Sequence, residues 1–304
     1  MKTAVSFTGG ILGSYYKAGA RWSKHQANQD RIATEKARGC GNVFPHILQE
    51  RGCYTICNLM AAPVNASERL IVALDVPDIQ AARSLVKDLE GVASFFKVGL
   101  ALQLASGVGD FIDELIHLHK KVFLDYKYMD VDETMRKAVG RAASLGVTFL
   151  SIHGTGGITR AAVEGRGKSD LKLLAVTVLT SLDANDITEL GFQCSVEDLV
   201  IHRARKAMES GCDGVIASGE EARKIRQLAG DRPVLIVTPG IRPLYKTTDD
   251  HKRPVTPRDA IVGGADYLVI GRPITGDVNP RASAERIVQE MQAAFDQVSR
   301  TVPA

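Results

Sequence analysis

The chain has 304 residues, 45% hydrophobic and 24% charged, with a net charge of +3, which suits one large domain or two ordinary ones. That charge is too small to point to nucleic acid, and no apolar run reaches the roughly 18 residues that a membrane span needs. Residues 1–68 hold eight Lys/Arg against four Asp/Glu, so the remainder is nearly neutral.

In chain order, residues 1–59 show no strand–helix unit and carry the single Trp22. We read them as an appended or upstream-extended segment ahead of a domain at 60–304, and assign them no function. Cys53 and Cys57 make a C-x3-C pair without further ligands at zinc spacing, so burial is the better reading. The odd total of five cysteines fits a reducing compartment, with the cytoplasm as the expected location.

From Arg69 a regular alternation sets in. Short, nearly continuous apolar runs at 69–76, 95–100, 121–127, 149–154, 172–179, 214–218, 233–238 and 267–272 read as strands buried on both faces. Amphipathic stretches separate them. "DIQAARSLVKDLEG" has Asp78 as N-cap and Gly91 as stop, and "SVEDLVIHRARKAMESG" opens on Ser195 and closes on Gly211. Eight such units over about 230 residues predict a (β/α)8 TIM barrel. A doubly wound sheet would have fewer strands and a glycine-rich first crossover.

Barrel chemistry gathers at the C-terminal strand ends, and charge falls there repeatedly: Asp75, Lys97, Asp125, Lys127 and Asp130. Alternation places Asp125 and Lys127 on one side of their strand. Each has a plainer alternative. Asp130 with Glu133 could form a capping box, Asp75 could cap the first helix, and Asp125 with Lys127 could be a simple ion pair. Their concentration at one barrel end favours a site. "VTPGIRP" (237–243) and "VIGRPIT" (269–275) end strands 7 and 8, the recurrent phosphate position, with Arg242 and Arg272 as anion ligands or as surface cations.

The chain resembles the orotidine 5′-phosphate decarboxylase family of the bacterial type over about residues 69–298. The resemblance rests on "ALD" (73–75), "FKVG" (96–99), "FLDYKYMDVDET" (123–134), "VTVLTS" (176–181), "TPGIRP" (238–243) and "VIGRPIT" (269–275). It implies decarboxylation of orotidine 5′-phosphate to uridine 5′-phosphate, the last step of de novo UMP synthesis, without metal or organic cofactor. Lys127 would be the proton donor in a Lys97–Asp125–Lys127–Asp130 network. The same resemblance implies a homodimer in which Asp130 and Thr134 complete the other subunit's site. Asp75 and Lys97 would hold ribose hydroxyls, Thr180 the pyrimidine, and Arg242, Gly271 and Arg272 the phosphate, with Val131 among the substrate-binding positions. Two departures stand out. "DDHKR" places His251 where relatives carry a phosphate-binding glutamine, and "MDVDET" replaces H-D-I-P-N-T, adding negative charge beside the dimer interface.

Two other functions are weighed against this one. A metal-dependent sugar-phosphate decarboxylase or aldolase on the same barrel would carry an acidic ligand near Lys97. A non-catalytic phosphoribosyl-binding protein would lack Lys127 or Asp125.

Overall fold

The computed structural model describes residues 64–154, 156–244 and 255–301; the readings for residues 1–59, including Cys53 and Cys57, and for His251 lie outside them. Eight parallel strands close on one another in sequence order. They are β1 (Leu70–Ala73), β2 (Phe95–Gly99), β3 (Lys121–Tyr128), β4 (Phe149–Ile152), β5 (Lys172–Val176), β6 (Gly214–Ile216), β7 (Leu235–Thr238) and β8 (Tyr267–Ile270). Ring closure is made by β1 and β8, with Ile71 opposite Val269. The expected barrel is therefore the observed one. Most predicted strands stop early, 69–76 and 172–179 by three residues each, because their last residues leave the ladder at the barrel mouth.

A principal helix follows each strand: α1 (Ile79–Asp88), α2 (Val108–His117), α3 (Asp132–Ser144), α4 (Gly157–Arg166), α5 (Val196–Glu209), α6 (Gly219–Ala229), α7 (Pro257–Val262) and α8 (Pro280–Thr301). Asp78 caps α1 by accepting the Ala81 N–H at 2.8 Å, and Ser195 caps α5 by accepting that of Asp198 at 3.0 Å, both as expected. Asp75 is thus not the cap of the first helix. No helix among the described residues is long and apolar enough to cross a membrane.

Two apolar layers hold the barrel. The larger lies between strands and helices, where outward residues such as Val72, Phe96, Leu124, Leu150 and Leu268 meet the amphipathic helix faces. The smaller fills the interior with Ile71, Ala73, Phe95, Phe123, Phe149, Leu174, Val237 and Val269. Its rings interlock, with Phe95 and Phe149 centroids 4.9 Å apart and Phe149 meeting Tyr267 edge-on at 5.1 Å. This plug sets the position of the site. Strand side chains alternate, so the next inward residue above Ala73, Phe95, Phe123 and Phe149 is Asp75, Lys97, Asp125 and Ser151. The interior changes from apolar to polar within one step along four neighbouring strands.

The outer layer has one tight spot that flanks this polar wall. A Cβ on Gly165 of α4 would lie 2.3 Å from the Arg136 carbonyl of α3, and one on Gly140 would lie 3.3 Å from the Gly165 carbonyl. Backbone on both sides leaves no flexible group to yield. We expect Gly165→Ala to force α3 and α4 apart and cost about 1–3 kcal/mol, read as a drop of several degrees in thermal melting. An unchanged melting temperature would show that the pair packs more loosely than described.

Candidate active site

The polar wall begins with an irregularity in β3. Leu124 pairs with Leu150, yet Tyr128 pairs with Ile152, so four steps along β3 match two along β4. The slack is taken up at Lys127, whose φ of +51° is in the left-handed region. A non-glycine residue there costs on the order of 1 kcal/mol and persists only where neighbours hold it. Here the Lys127 N–H donates to Ser151 Oγ at 2.9 Å. Tyr126 and Tyr128 point outward and stack with centroids 6.2 Å apart, clamping the distortion from the helix side. Asp125 and Lys127 do come together, as expected, but through a bulge rather than a regular pleat.

Charge alternates along the wall. Lys97 Nζ lies 3.2 Å from Asp75 Oδ1 and 3.3 Å from Asp125 Oδ2, and Lys127 Nζ lies 2.9 Å from Asp125 Oδ1. The row reads anion, cation, anion, cation from β1 to β3. Asp125 and Lys97 are buried, Lys127 is half-buried and Asp75 opens to solvent. Burial alone would raise the Asp125 pKa. The charges of Lys97 and Lys127, with hydrogen bonds from Lys127 and Ser151, outweigh it and hold the carboxyl below its ordinary value. His153 lies beyond the end of β4. Burial first, then the Arg203 and Lys127 cations, push its pKa down, so its ring adds no further positive charge beside Lys127 at neutral pH.

Two residues that the sequence reading passed over shape this row. Ser151 is completely buried and donates to Asp125 Oδ1 at 2.9 Å while accepting the Lys127 N–H. Gly99 ends β2 beside Asp125; a Cβ there would stand 2.9 Å from Lys97 Nζ, so its missing side chain is the space the ammonium occupies. The "FKVG" motif contained that glycine without a reason for it. Nothing in composition or spacing singled out the serine.

The row lines one part of a cavity of about 480 Å³ at the C-terminal strand ends. Asp75, Lys97, Asp125, Lys127, Thr180, Arg242, Gly271 and Arg272 all border it. Val176, Val178, Ile216 and Val269 supply an apolar lining suited to the face of a ring. Arg203 reaches from α5 to the Thr177 carbonyl at 2.5 Å and fixes the segment leading to Thr180. Gly240, with φ of +77°, makes the turn after β7 that brings Arg242 to the cavity.

Asp130, Val131 and Thr134 do not line the cavity; all three are exposed. The capping-box alternative for Asp130 fails. The N-cap of α3 is Val131, Asp130 accepts the adjacent Val131 N–H at 2.7 Å, and Glu133 turns to Arg136 and Lys137. Asp130 is therefore absent from the charge row formed within one chain. A divalent ion has little purchase here either, because Lys97 already bridges Asp75 and Asp125. Among the described residues no group of three or more His, Cys, Asp or Glu side chains could hold a metal.

The depressed Asp125 pKa has a measurable sign. Its ionised form stabilises the fold above the unfolded carboxylate pKa of about 3.9, and this contribution is lost as pH falls through the folded value. Asp125→Asn leaves Lys97 and Lys127 facing one another without an anion. We expect it to lose about 3 kcal/mol at neutral pH, with the difference from wild type shrinking below roughly pH 4. Denaturant titrations at several pH values test this, and a gap that does not change with pH would refute it.

The site's relatives are clear. The chain matches the Orotidine 5′-phosphate decarboxylase / HUMPS family over residues 68–287. It is 55% identical over 230 residues to an orotidine 5′-phosphate decarboxylase of Nitrobacter winogradskyi, covering 76% of this chain and 95% of that one. It is 45% identical over 234 residues to the Methylococcus capsulatus protein of the same name, covering 77% and 96%. The crystal structure of orotidine 5′-phosphate decarboxylase from Lactobacillus acidophilus superposes with a TM-score of 0.64 at 34% identity, covering 74% of this chain and 99% of the other. The fold, the cavity and these similarities converge: the chain belongs to the orotidine 5′-phosphate decarboxylase / HUMPS family.

Proposed function

We propose that this protein converts orotidine 5′-phosphate to uridine 5′-phosphate and carbon dioxide, the last step of de novo UMP synthesis, without metal or organic cofactor. The observation that carries the reading is the Asp75–Lys97–Asp125–Lys127 row on the wall of a cavity that also holds Arg242 and Arg272.

The reaction breaks the bond between the ring carbon and its carboxylate. The electron pair stays on a carbon with poor resonance relief, so charge placed beforehand is the effective catalyst. The Lys127 ammonium sits where it attracts that pair and delivers a proton to the carbon. One proton enters, carbon dioxide leaves, and the neutral lysine recovers its proton from solvent. Asp125, held ionised between two lysines, faces the substrate carboxylate and is relieved of its repulsion when carbon dioxide departs. Asp75 and Lys97 hold the ribose hydroxyls, and Thr180 contacts the pyrimidine over the valine lining. Arg242 and Arg272, with the Gly271 backbone, take the phosphate, so binding energy remote from the reacting bond is available to the transition state.

Asp130, Val131 and Thr134 serve a second copy of the chain in a homodimer, where Asp130 joins the partner's Lys127. Their exposure supports this, as do the neighbouring exposed apolar side chains Met129 and Val131. His251 takes the place of a phosphate-binding glutamine as a single hydrogen-bond donor. The free thiols of Cys194 and Cys212 support a cytoplasmic location. A metal-dependent sugar-phosphate enzyme is disfavoured by Lys97, whose ammonium stands between the two carboxylates a metal would use.

Ultraviolet absorbance of orotidylate should fall with a chelator present, and Lys127→Ala should abolish that fall. Arg272→Ala should lower kcat/KM about 10- to 100-fold by removing a charged hydrogen-bond donor to phosphate. Lys127→Ala and Asp130→Ala proteins, each inactive alone, should recover roughly one quarter of wild-type activity when mixed and allowed to exchange, since half the dimers then carry one intact site. No recovery despite exchange would overturn the shared site. A folded wild type inactive on orotidylate would overturn the function.

A further inference from the structure

We propose that Ser151 is a positioning residue for decarboxylation: its hydroxyl ties the Lys127 backbone to the Asp125 carboxylate, so that proton donor and repelling anion keep one relative geometry. This rests on the decarboxylase reading above.

The serine stands where β4 faces the bulge of β3. Along β3 the odd-numbered backbone groups face β2, as where the Lys121 N–H donates to the Ser94 carbonyl; past the bulge the Lys127 N–H turns to β4 instead, where Ser151 Oγ accepts it at 2.9 Å. The same oxygen has one proton, and it goes to Asp125 Oδ1 at 2.9 Å. The chain N–H to hydroxyl to carboxylate is polarised in one direction, which strengthens each bond in a buried setting. Asp125 Oδ1 is also the atom that Lys127 Nζ contacts at 2.9 Å, so both ends of Lys127, backbone and ammonium, are referred to a single carboxylate oxygen.

Three features separate this from an ordinary core serine. The residue is wholly buried, so water cannot replace it at either partner. Lys127 is held in a left-handed conformation that requires outside support, and Ser151 receives its N–H. The Asp125 carboxylate receives Lys97 on one oxygen and Lys127 on the other, and both lysines meet substrate in the proposed mechanism. Ser151 is the neutral donor whose hold on Asp125 does not change when a proton leaves Lys127 or a charged substrate enters. The grips on phosphate and pyrimidine lie elsewhere, so removing the hydroxyl acts on chemistry and spares binding.

The test compares Ser151→Ala, Ser151→Cys and Ser151→Thr with wild type and Lys127→Ala in the orotidylate assay, with UMP inhibition measured in parallel. We expect kcat to fall about 10- to 100-fold in Ser151→Ala, the size expected for one hydrogen bond to a charged group. KM and the UMP inhibition constant should stay within about twofold, and Ser151→Thr should recover most of kcat. Ser151→Cys nearly keeps the size and offers only a weak donor, so it should behave like alanine and carries the test if alanine does not fold. A wild-type kcat in Ser151→Ala or Ser151→Cys overturns the proposal, as does an equal loss of UMP affinity or a threonine variant as slow as alanine. An inactive wild type instead sinks the decarboxylase reading, and this proposal with it.

Discussion

One buried carboxylate organises the mouth of this barrel. Without Asp125, Lys97 and Lys127 would be like charges pressed together at the edge of an aromatic plug. With it, each ammonium has a partner at 3.3 and 2.9 Å, and Asp75 extends the row to solvent. The arrangement is costly to assemble, because its buried charges lose water and gain mainly one another. As packing it would be a poor choice. It becomes intelligible as a fixed field, built by folding, of the kind that the proposed decarboxylation would use.

The barrel offers that field a rigid mounting. Phe95, Phe123, Phe149 and Tyr267 fill the interior directly beneath it, and their interlocked rings leave little freedom to the strands that carry the charges. The transition from ring to charge takes one inward step, so the charged wall and the core share a backbone. Lys97 comes from β2, whose terminal Gly99 clears the volume its ammonium needs. Lys127 comes from the bulge of β3, which advances the lysine backbone relative to β4 and turns it inward. A regular β3 would offer the same residue types with a different geometry.

The division of labour around the cavity follows from topology. The charge row belongs to β1, β2 and β3, while the arginines follow β7 and β8, which close the ring against β1. In the proposed reaction, a ligand with a reactive ring and a distant phosphate would meet both ends of the chain's barrel at once. The start of α3 turns away, leaving Asp130, Val131 and Thr134 on the surface beside exposed Met129. Within one chain the Lys127 ammonium thus has one of its two expected carboxylates, and an intersubunit site is the arrangement that would supply the second.

Much of this was legible in the order of residues. Runs apolar on both faces at regular intervals can be satisfied only by a sheet covered on both sides, so eight of them imply the barrel. Charges at the ends of such runs have only the mouth to face, which made Asp75, Lys97, Asp125, Lys127, Arg242 and Arg272 readable, and Asp78 and Ser195 as caps depended on neighbours three residues away. What the sequence could not decide is whatever depends on a neighbouring strand. The bulge at Lys127 is a mismatch between β3 and β4, and neither strand's sequence encodes it alone. Asp130 read locally as a cap, yet the helix begins one residue later than that reading requires and its carboxylate faces outward. Ser151 carries no signal of its own, being one small polar residue in an apolar run. Its meaning comes from residues 24 and 26 positions earlier, brought to 2.9 Å only when the barrel closes.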